Sequence, residues 1–337
     1  MTRGVLLSIG AVALALGACQ TVKVGKPASE NSQVVSTATS SQINISSKNT
    51  ITEIDLLNDK GKSVTVKVKL DDTDKIKTAG LVIIVPSSTP NMDDEEWYAT
   101  KFKDYGLATA VVHSAAPRFK SKFSAAYTSN TIARDIAETV SAVSNKFGPP
   151  KSIFVLGGSL GSHAVFKTAW SDIRERYPQL KMLTAGFMMN AACPDSFLGR
   201  WDSSLPIYAL NGIDDTSTPP SACKTLAASG KVPSFKSLTY PGDHHFESLI
   251  DSPARWMAHS KHVIPTCSID YQADLYPILK RRDGSGLWDS KESGFGKPMY
   301  KWLGKNCVKK GNRHGYNKKG SAMVWDDIKT IISSGKL

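Results

Sequence analysis

The sequence predicts an α/β fold: a mainly parallel, doubly wound sheet with helices on both faces and an antiparallel hairpin at its N-terminal edge. Three observations carry that expectation. Short apolar runs alternate with longer stretches of helical character from Leu81 to Tyr240, the pattern of repeated βαβ units. The segment Ile153 to Phe166, IFVLGGSLGSHAVF, compresses a buried strand, a glycine-bracketed turn and a helix start into fourteen residues. Polar residues able to do chemistry fall just after successive strands, where sheets of this kind place their sites.

Taken in order, the chain opens with a segment outside the fold. Arg3 supplies a positive n-region, Val5 to Leu16 an apolar h-region, and Leu16-Gly17-Ala18-Cys19 a small-residue cleavage pattern ending in cysteine. The apolar run is shorter than the ~20 residues a spanning helix needs. It resembles the lipobox of bacterial lipoproteins, which implies a signal peptide over 1–18, lipid on the Cys19 thiol, and export to the periplasmic side or outer membrane. Gln20 rather than Asp after the cysteine favours the outer membrane by the same resemblance. Residues 19–50 are rich in Ser, Thr, Asn, Gln and Lys and bury too little apolar surface to order, so they are expected to form a flexible tether.

The domain is expected over 51–337. Ile51 to Leu57 and Lys62 to Leu70 alternate as strands around the turn Asn58-Asp59-Lys60-Gly61. Leu81 to Val85 is a continuous apolar run ended by Pro86, hence a central strand. Asp94 to Tyr105 is a helix whose early acids suit its positive dipole end, and Leu107 to Val112 is the next strand. Then come a helix over Thr131–Lys146, a strand over Ile153–Leu156 and a helix over Ser162–Trp170. Strands at Met182–Met188 and Leu205–Leu210, a helix at Pro219–Ala228 and a strand at Ser234–Tyr240 complete the alternation.

Composition narrows the function classes. A hydrophobic share of 41% is ample for a packed core in 337 residues. The net charge of +12 raises the question of nucleic acid, but the cations are scattered apart from a denser share between Lys280 and Lys319. The reading is a solvated face and no nucleic-acid partner. Beyond Cys19, the four cysteines Cys193, Cys223, Cys267 and Cys307 are an even number suited to an oxidising compartment, with three pairings possible. Zinc is the competing use, for which no C-x-x-C or H-x-x-x-H spacing is found; no metal or cofactor is expected.

Gly157-Gly158-Ser159-Leu160-Gly161 matches G-x-S-x-G on a strand-to-helix turn, the form of a nucleophile elbow. A serine hydroxyl needs a base in reach, and that imidazole needs a carboxylate to fix its tautomer. Asp215 follows the Leu205 strand and His245 follows the Ser234 strand, in the order Ser, Asp, His. Their neighbours Asp214 and His244 compete for the same roles. Spacing from Gly212 prefers Asp215, and spacing from Tyr240-Pro241-Gly242 prefers His245. His113, just past a strand end, is read as structural.

These segments resemble the dienelactone hydrolase family of the α/β-hydrolase fold. Gly212, Asp215, Pro219 and Cys223 occupy its G-x-x-D-D-x-x-P pattern and following cysteine, with Thr216 in place of the second Asp. Tyr240-Pro241-Gly242 with His245 is similar to its Y-P-G-x-x-H segment. Ser114 and Arg118, Arg134-Asp135 and Gly315-Tyr316-Asn317 are further echoes, and the likeness spans about 51–250. The resemblance implies a serine esterase acting on a small acyl substrate through Ser159, His245 and Asp215, with an acyl-enzyme. It implies an oxyanion hole from the backbone N–H of Leu160 and of Ser87 or Ser88, although Pro86-Ser87-Ser88-Thr89 stands where relatives carry His-Gly. It also favours pairing Cys193 with Cys223. Cys267 with Cys307 is the other favoured pair, on position, closing a probable insertion over 252–310. The alternative is a catalytically idle surface lipoprotein of the same fold that serves in binding or scaffolding.

Overall fold

The computed structural model describes residues 51–57, 63–87, 92–115, 129–251, 254–263, 267–271, 277–289, 292 and 297–334. The expected leader, Cys19, the tether, the Asn58–Gly61 turn, Ser88 and Arg118 lie outside the described residues. Among those described, no helix is long and apolar enough to cross a membrane.

Strands β1 (Ile51–Leu57) and β2 (Ser63–Asp71) pair antiparallel as the expected edge hairpin. They are followed by β3 (Leu81–Val85), α1 (Asp93–Asp104), β4 (Ala108–Val112), α2 (Ser129–Phe147), β5 (Ile153–Gly158) and α3 (Leu160–Lys167). Next are α4 (Ser171–Arg176), β6 (Ala185–Met189), the two-residue β7 (Ser196–Phe197), β8 (Ile207–Gly212), α5 (Pro220–Ala228) and β9 (Phe235–Tyr240). The C-terminal part holds β10 (Arg255–Val263), β11 (Cys267–Tyr271), β12 (Pro277–Arg281), β13 (Leu287–Asp289), α6 (Lys297–Asn306), β14 (Val308–His314) and α7 (Lys318–Ser333).

The main sheet has eight strands in the order β1-β2-β4-β3-β5-β6-β8-β9, and every pairing from β4 to β9 is parallel. The chain runs from β3 outward to β4 and then returns to place β5 on the other side of β3. That reversal opens a crevice beyond the C-terminal ends of β3 and β5, where doubly wound sheets bind ligands. The strands alternate faces with period two. Leu81, Ile83, Val85, Ile153 and Val155 pack with Ile136 and Val140 of α2 and Val165 and Phe166 of α3. Val82, Ile84, Phe154 and Leu156 pack on the opposite face with Tyr98 and Phe102 of α1 and Val324 and Trp325 of α7.

Several expected boundaries move. The strand expected from Met182 begins at Ala185, because Pro178 opens a 3-10 turn over Pro178–Met182 that leaves Met182 at the surface. The helix expected over Ser162–Trp170 runs from Leu160 to Lys167, and α4, which was not expected, follows Trp170, whose extended backbone bridges to Trp201. Helix α2 starts two residues early, at Ser129.

Both favoured disulfides are present, Cys193–Cys223 and Cys267–Cys307. The second ties the end of α6 to β11. In the segment read as an insertion, β10 pairs antiparallel with β14, while β11, β12 and β13 join β7 in a four-stranded sheet. Its apolar residues Ile269, Leu279 and Leu303 belong to the same cluster as the α2 and α3 face.

The glycines around the elbow mark backbone contact. A Cβ on Gly157 would stand 2.4 Å from the Gly161 backbone, and one on Gly161 would stand 2.7 Å from the Pro86 carbonyl oxygen. No rotamer relieves a collision with backbone. Gly161→Ala should therefore cost about 1–3 kcal/mol as an overpacked site, read as a lower denaturation midpoint at unchanged m-value; a midpoint equal to wild type would refute this account of the turn.

Candidate active site

The strand β5 delivers Ser159 and the helix α3 departs from it, so the serine sits where extended backbone must become helical within one residue. It takes φ 49° and ψ −110°, a conformation rare for a residue with a side chain. The turn is held from outside the helix. The Ser159 N–H donates to the Met189 carbonyl at 3.0 Å. Ser162 Oγ donates to the Ser159 carbonyl at 2.6 Å and accepts from Ala192 N at 3.2 Å. Ser159 is thus pinned to the end of β6 as well as to its own strand, and it is 6% exposed.

Asp215 lies in the loop after β8, as spacing predicted, and is 2% exposed. Its Oδ1 accepts from Ser217 N at 2.8 Å and Thr218 N at 2.9 Å. Its Oδ2 accepts from Thr218 Oγ1 at 2.7 Å and meets a histidine Nδ1 at 2.8 Å. Burial pushes this carboxyl up, but the His244 imidazole and the Thr218 donors outweigh it and hold it below the usual range. Asp214, the competing acid, is exposed.

The histidine that meets Asp215 is His244, which corrects the expectation of His245. Phe246 is fully buried and stacks on Tyr240 with ring centroids 5.8 Å apart. That anchor fixes the path of the short loop between them and turns His244 toward the acid. His245 takes φ 57° and turns elsewhere, its N–H donating to Asn190 Oδ1 at 3.0 Å. Its Nδ1 stands 3.8 Å from Glu247 Oε1 and 3.9 Å from Asp94 Oδ2. The pattern counted from Gly242 is one residue too long for this loop. The apolar Phe246 in a polar stretch was the signal that could have said so.

Several residues here were not singled out from sequence. His314, at the end of β14, bridges to His244, and their rings lie 4.8 Å apart. Burial, then the neighbouring histidines, push His314 down to about 2, so it stays neutral. Asn190, also at positive φ, donates from Nδ2 to Glu247 Oε1 at 2.8 Å, and Tyr98 Oη donates to the same oxygen at 2.5 Å. Burial pushes the enclosed Glu247 carboxyl up. These groups come from β6, α1, the β9 loop and β14, so no sequence spacing links them. His113 is removed from this cluster, 3.8 Å from Glu96, and burial lowers its pKa.

The expected oxyanion donors differ in state. The Leu160 N–H belongs to the first turn of α3, whose amides lack intrahelical partners. The Ser87 N–H donates instead to Glu95 Oε1 at 2.9 Å. That bond is a correction to the open donor expected there: the first turn of α1 brings a carboxylate onto the amide. Among the described residues no group of three or more His, Cys, Asp or Glu is arranged to hold a metal ion.

The arrangement is a mainly parallel α/β sheet with its G-x-S-x-G turn at the topological switch point and an Asp–His pair beyond the C-terminal ends of β8 and β9. No family model and no curated protein matches this chain. Solved structures overlap it in part. A putative dienelactone hydrolase from Klebsiella pneumoniae is 14% identical, with a TM-score of 0.42 over 58% of this chain and 87% of that one. A cold-adapted esterase from an Arctic intertidal metagenomic library is 13% identical, with a TM-score of 0.40 over 61% and 91%. Esterase 2 of Thermogutta terrifontis, phosphonylated by cyclosarin, is 11% identical, with a TM-score of 0.41 over 63% and 86%.

Burial is the largest influence on Glu95 and raises it from 4.5 to about 7, with Asp94 raising it further and the Ser87 amide and His245 opposing. A raised carboxyl favours folding when protonated. That contribution is complete below about pH 4.5 and is lost as the pH climbs through about 7, roughly 3 kcal/mol in all. Glu95→Gln cannot ionise and keeps an acceptor for the Ser87 amide. It should match wild type near pH 4 and be more stable near pH 8 by up to about 3 kcal/mol; chemical denaturation at both pH values checks this, and an equal difference at both would contradict it.

Proposed function

We propose that this protein is a serine hydrolase that cleaves an ester or related acyl substrate through Ser159, His244 and Asp215. The observation that carries the reading is the buried bond between Asp215 Oδ2 and His244 Nδ1, in a chain that holds Ser159 on a strained strand-to-helix turn of G-x-S-x-G form. Asp215, held ionised by its donors, fixes the tautomer with the proton on Nδ1 and leaves Nε2 as the base. His244 takes the Ser159 proton as Oγ attacks the acyl carbon, then returns it to the leaving alcohol. Water resolves the acyl-enzyme by the same transfers in reverse order. Negative charge on the acyl oxygen is met by the Leu160 amide, with the Ser87 amide as second donor once the Glu95 carboxylate releases it.

A second reading has an observation in its favour. The Ser87–Glu95 bond leaves one oxyanion donor engaged, as in a fold kept for binding rather than chemistry. Export and anchoring through Cys19 are also proposed, supported by the leader pattern and by two disulfides, which suit an oxidising compartment.

A fluorophosphonate probe should label Ser159 in the folded protein. His244→Ala and Asp215→Asn should each lower kcat by roughly 10⁴-fold, while His245→Ala should lower it far less. Absence of labelling, or ester hydrolysis untouched by Ser159→Ala, would decide for the binding fold. A larger loss from His245→Ala than from His244→Ala would reverse the assignment of the base.

A further inference from the structure

The ribbon β10–β14 and the helix α6 packed against it hold eight lysines and arginines and not one aspartate or glutamate. Arg255, Lys301, Lys305, Lys309, Lys310 and Arg313 are exposed. Like charges gathered this closely repel one another and contribute nothing to folding by themselves. Among the described residues Asp243 meets them, 3.2 Å from Arg313.

An indole stands among these cations. Trp256 is 64% exposed and lies across the ribbon from Arg313. Its inner edge rests on Gly311, where a Cβ would come within 2.2 Å of the ring and the backbone φ is +94°. The ring is thereby seated on the ribbon, with its remaining surface in solvent.

The ribbon is joined directly to the candidate site. His314 at its end bridges to His244, and Gly315 N donates to the His244 carbonyl at 2.9 Å. Thr216 Oγ1, beside Asp215, donates to Asn312 Oδ1 at 2.5 Å. The loops that bring Asp215 and His244 also expose aliphatic side chains: Ile213 is 57% exposed, and Leu249 and Ile250 are each 48% exposed. Cations, an amphipathic indole and bare aliphatic groups thus stand on the ribbon and loops that adjoin the Asp215–His244 pair and rim it.

We propose that this rim docks the protein on an anionic lipid surface, with the Asp215–His244 pair held at the contact so that acyl substrate is taken from that surface. The docking stands alone, whereas the supply of substrate rests on the hydrolase reading. Charge complementarity makes the partner anionic, and three features make it lipid rather than nucleic acid. Six of the eight cations are lysines, point charges without the planar fork that grips phosphodiesters in pairs. Trp256 suits the headgroup layer, where an amphipathic ring has both its surfaces satisfied. Ile213, Leu249 and Ile250 gain from the acyl boundary and gain nothing against a solvated polyanion.

The test is the partition of the full chain onto vesicles of an equal mixture of phosphatidylcholine and phosphatidylglycerol, divided by its partition onto phosphatidylcholine alone. Any N-terminal apolar anchor acts on both and cancels in the ratio. Lys309→Gln, on the Trp256 face of the ribbon, should lower that ratio roughly fivefold, the effect of one cation near such a surface, and Trp256→Ala should weaken binding to both vesicles. A wild-type ratio near one, a ratio unmoved by the lysine change, or release from the vesicles by double-stranded DNA at matched phosphate each overturns the docking. The same variants should cleave a soluble ester at the wild-type rate and an ester carried in the anionic vesicles more slowly. Equal rates on the vesicle-borne ester overturn the supply of substrate. If no ester is cleaved and Ser159 stays unlabelled, the hydrolase reading falls while the partition ratio still decides the docking.

Discussion

The backbone contact between the ends of β3 and β5 and the first turn of α3 is the constraint on which the site depends. With a Cβ on Gly161 coming within 2.7 Å of the Pro86 oxygen, and Gly157 closed against Gly161, three chain segments meet without side chains between them. The consequence is a serine at φ 49°. Its strain is borne by a fully buried strand and by hydrogen bonds to Met189 and Ser162. Because β3 and β5 flank the point where strand order reverses, the same contact fixes the crevice that the serine faces.

Around that fixed point, two carboxylates are enclosed with different consequences. Asp215 receives two amides, a hydroxyl and an imidazole, and these hold it ionised despite burial. Glu95 receives the Ser87 amide, and burial dominates it. The difference lies first in the His244 imidazole beside Asp215 and then in the hydrogen bonds from His244 and Thr218, which together outweigh its burial. It gives the site a firm acid behind its histidine and a soft one on the amide across from its serine, so the charge of Glu95 is coupled to the readiness of the Ser87 donor.

Much of this was legible in the sequence because it is local. The apolar runs at Leu81–Val85 and Ile153–Leu156 state their strands outright, and G-x-S-x-G states its turn, since both depend on neighbours within a few residues. The two cysteine pairs were legible from their places beside the β6 loop and around the insertion. What failed was counting through a loop. His245 and His244 differ by one residue, and the choice between them was made by Phe246, whose burial against Tyr240 is a long-range packing fact. The Met182 strand start failed for a similar reason, since Pro178 turned the segment helical first.

By itself, then, the sequence determined an α/β sheet with a serine elbow, an acid after β8 and a histidine pair after β9, because periodicity and turn chemistry act along the chain. Only the tertiary structure decided which histidine meets the acid, that Glu95 covers the Ser87 amide, and that His314, Asn190 and Glu247 gather beside them. Those contacts join residues far apart in sequence, and each is selected by how two elements pack rather than by what either segment prefers alone.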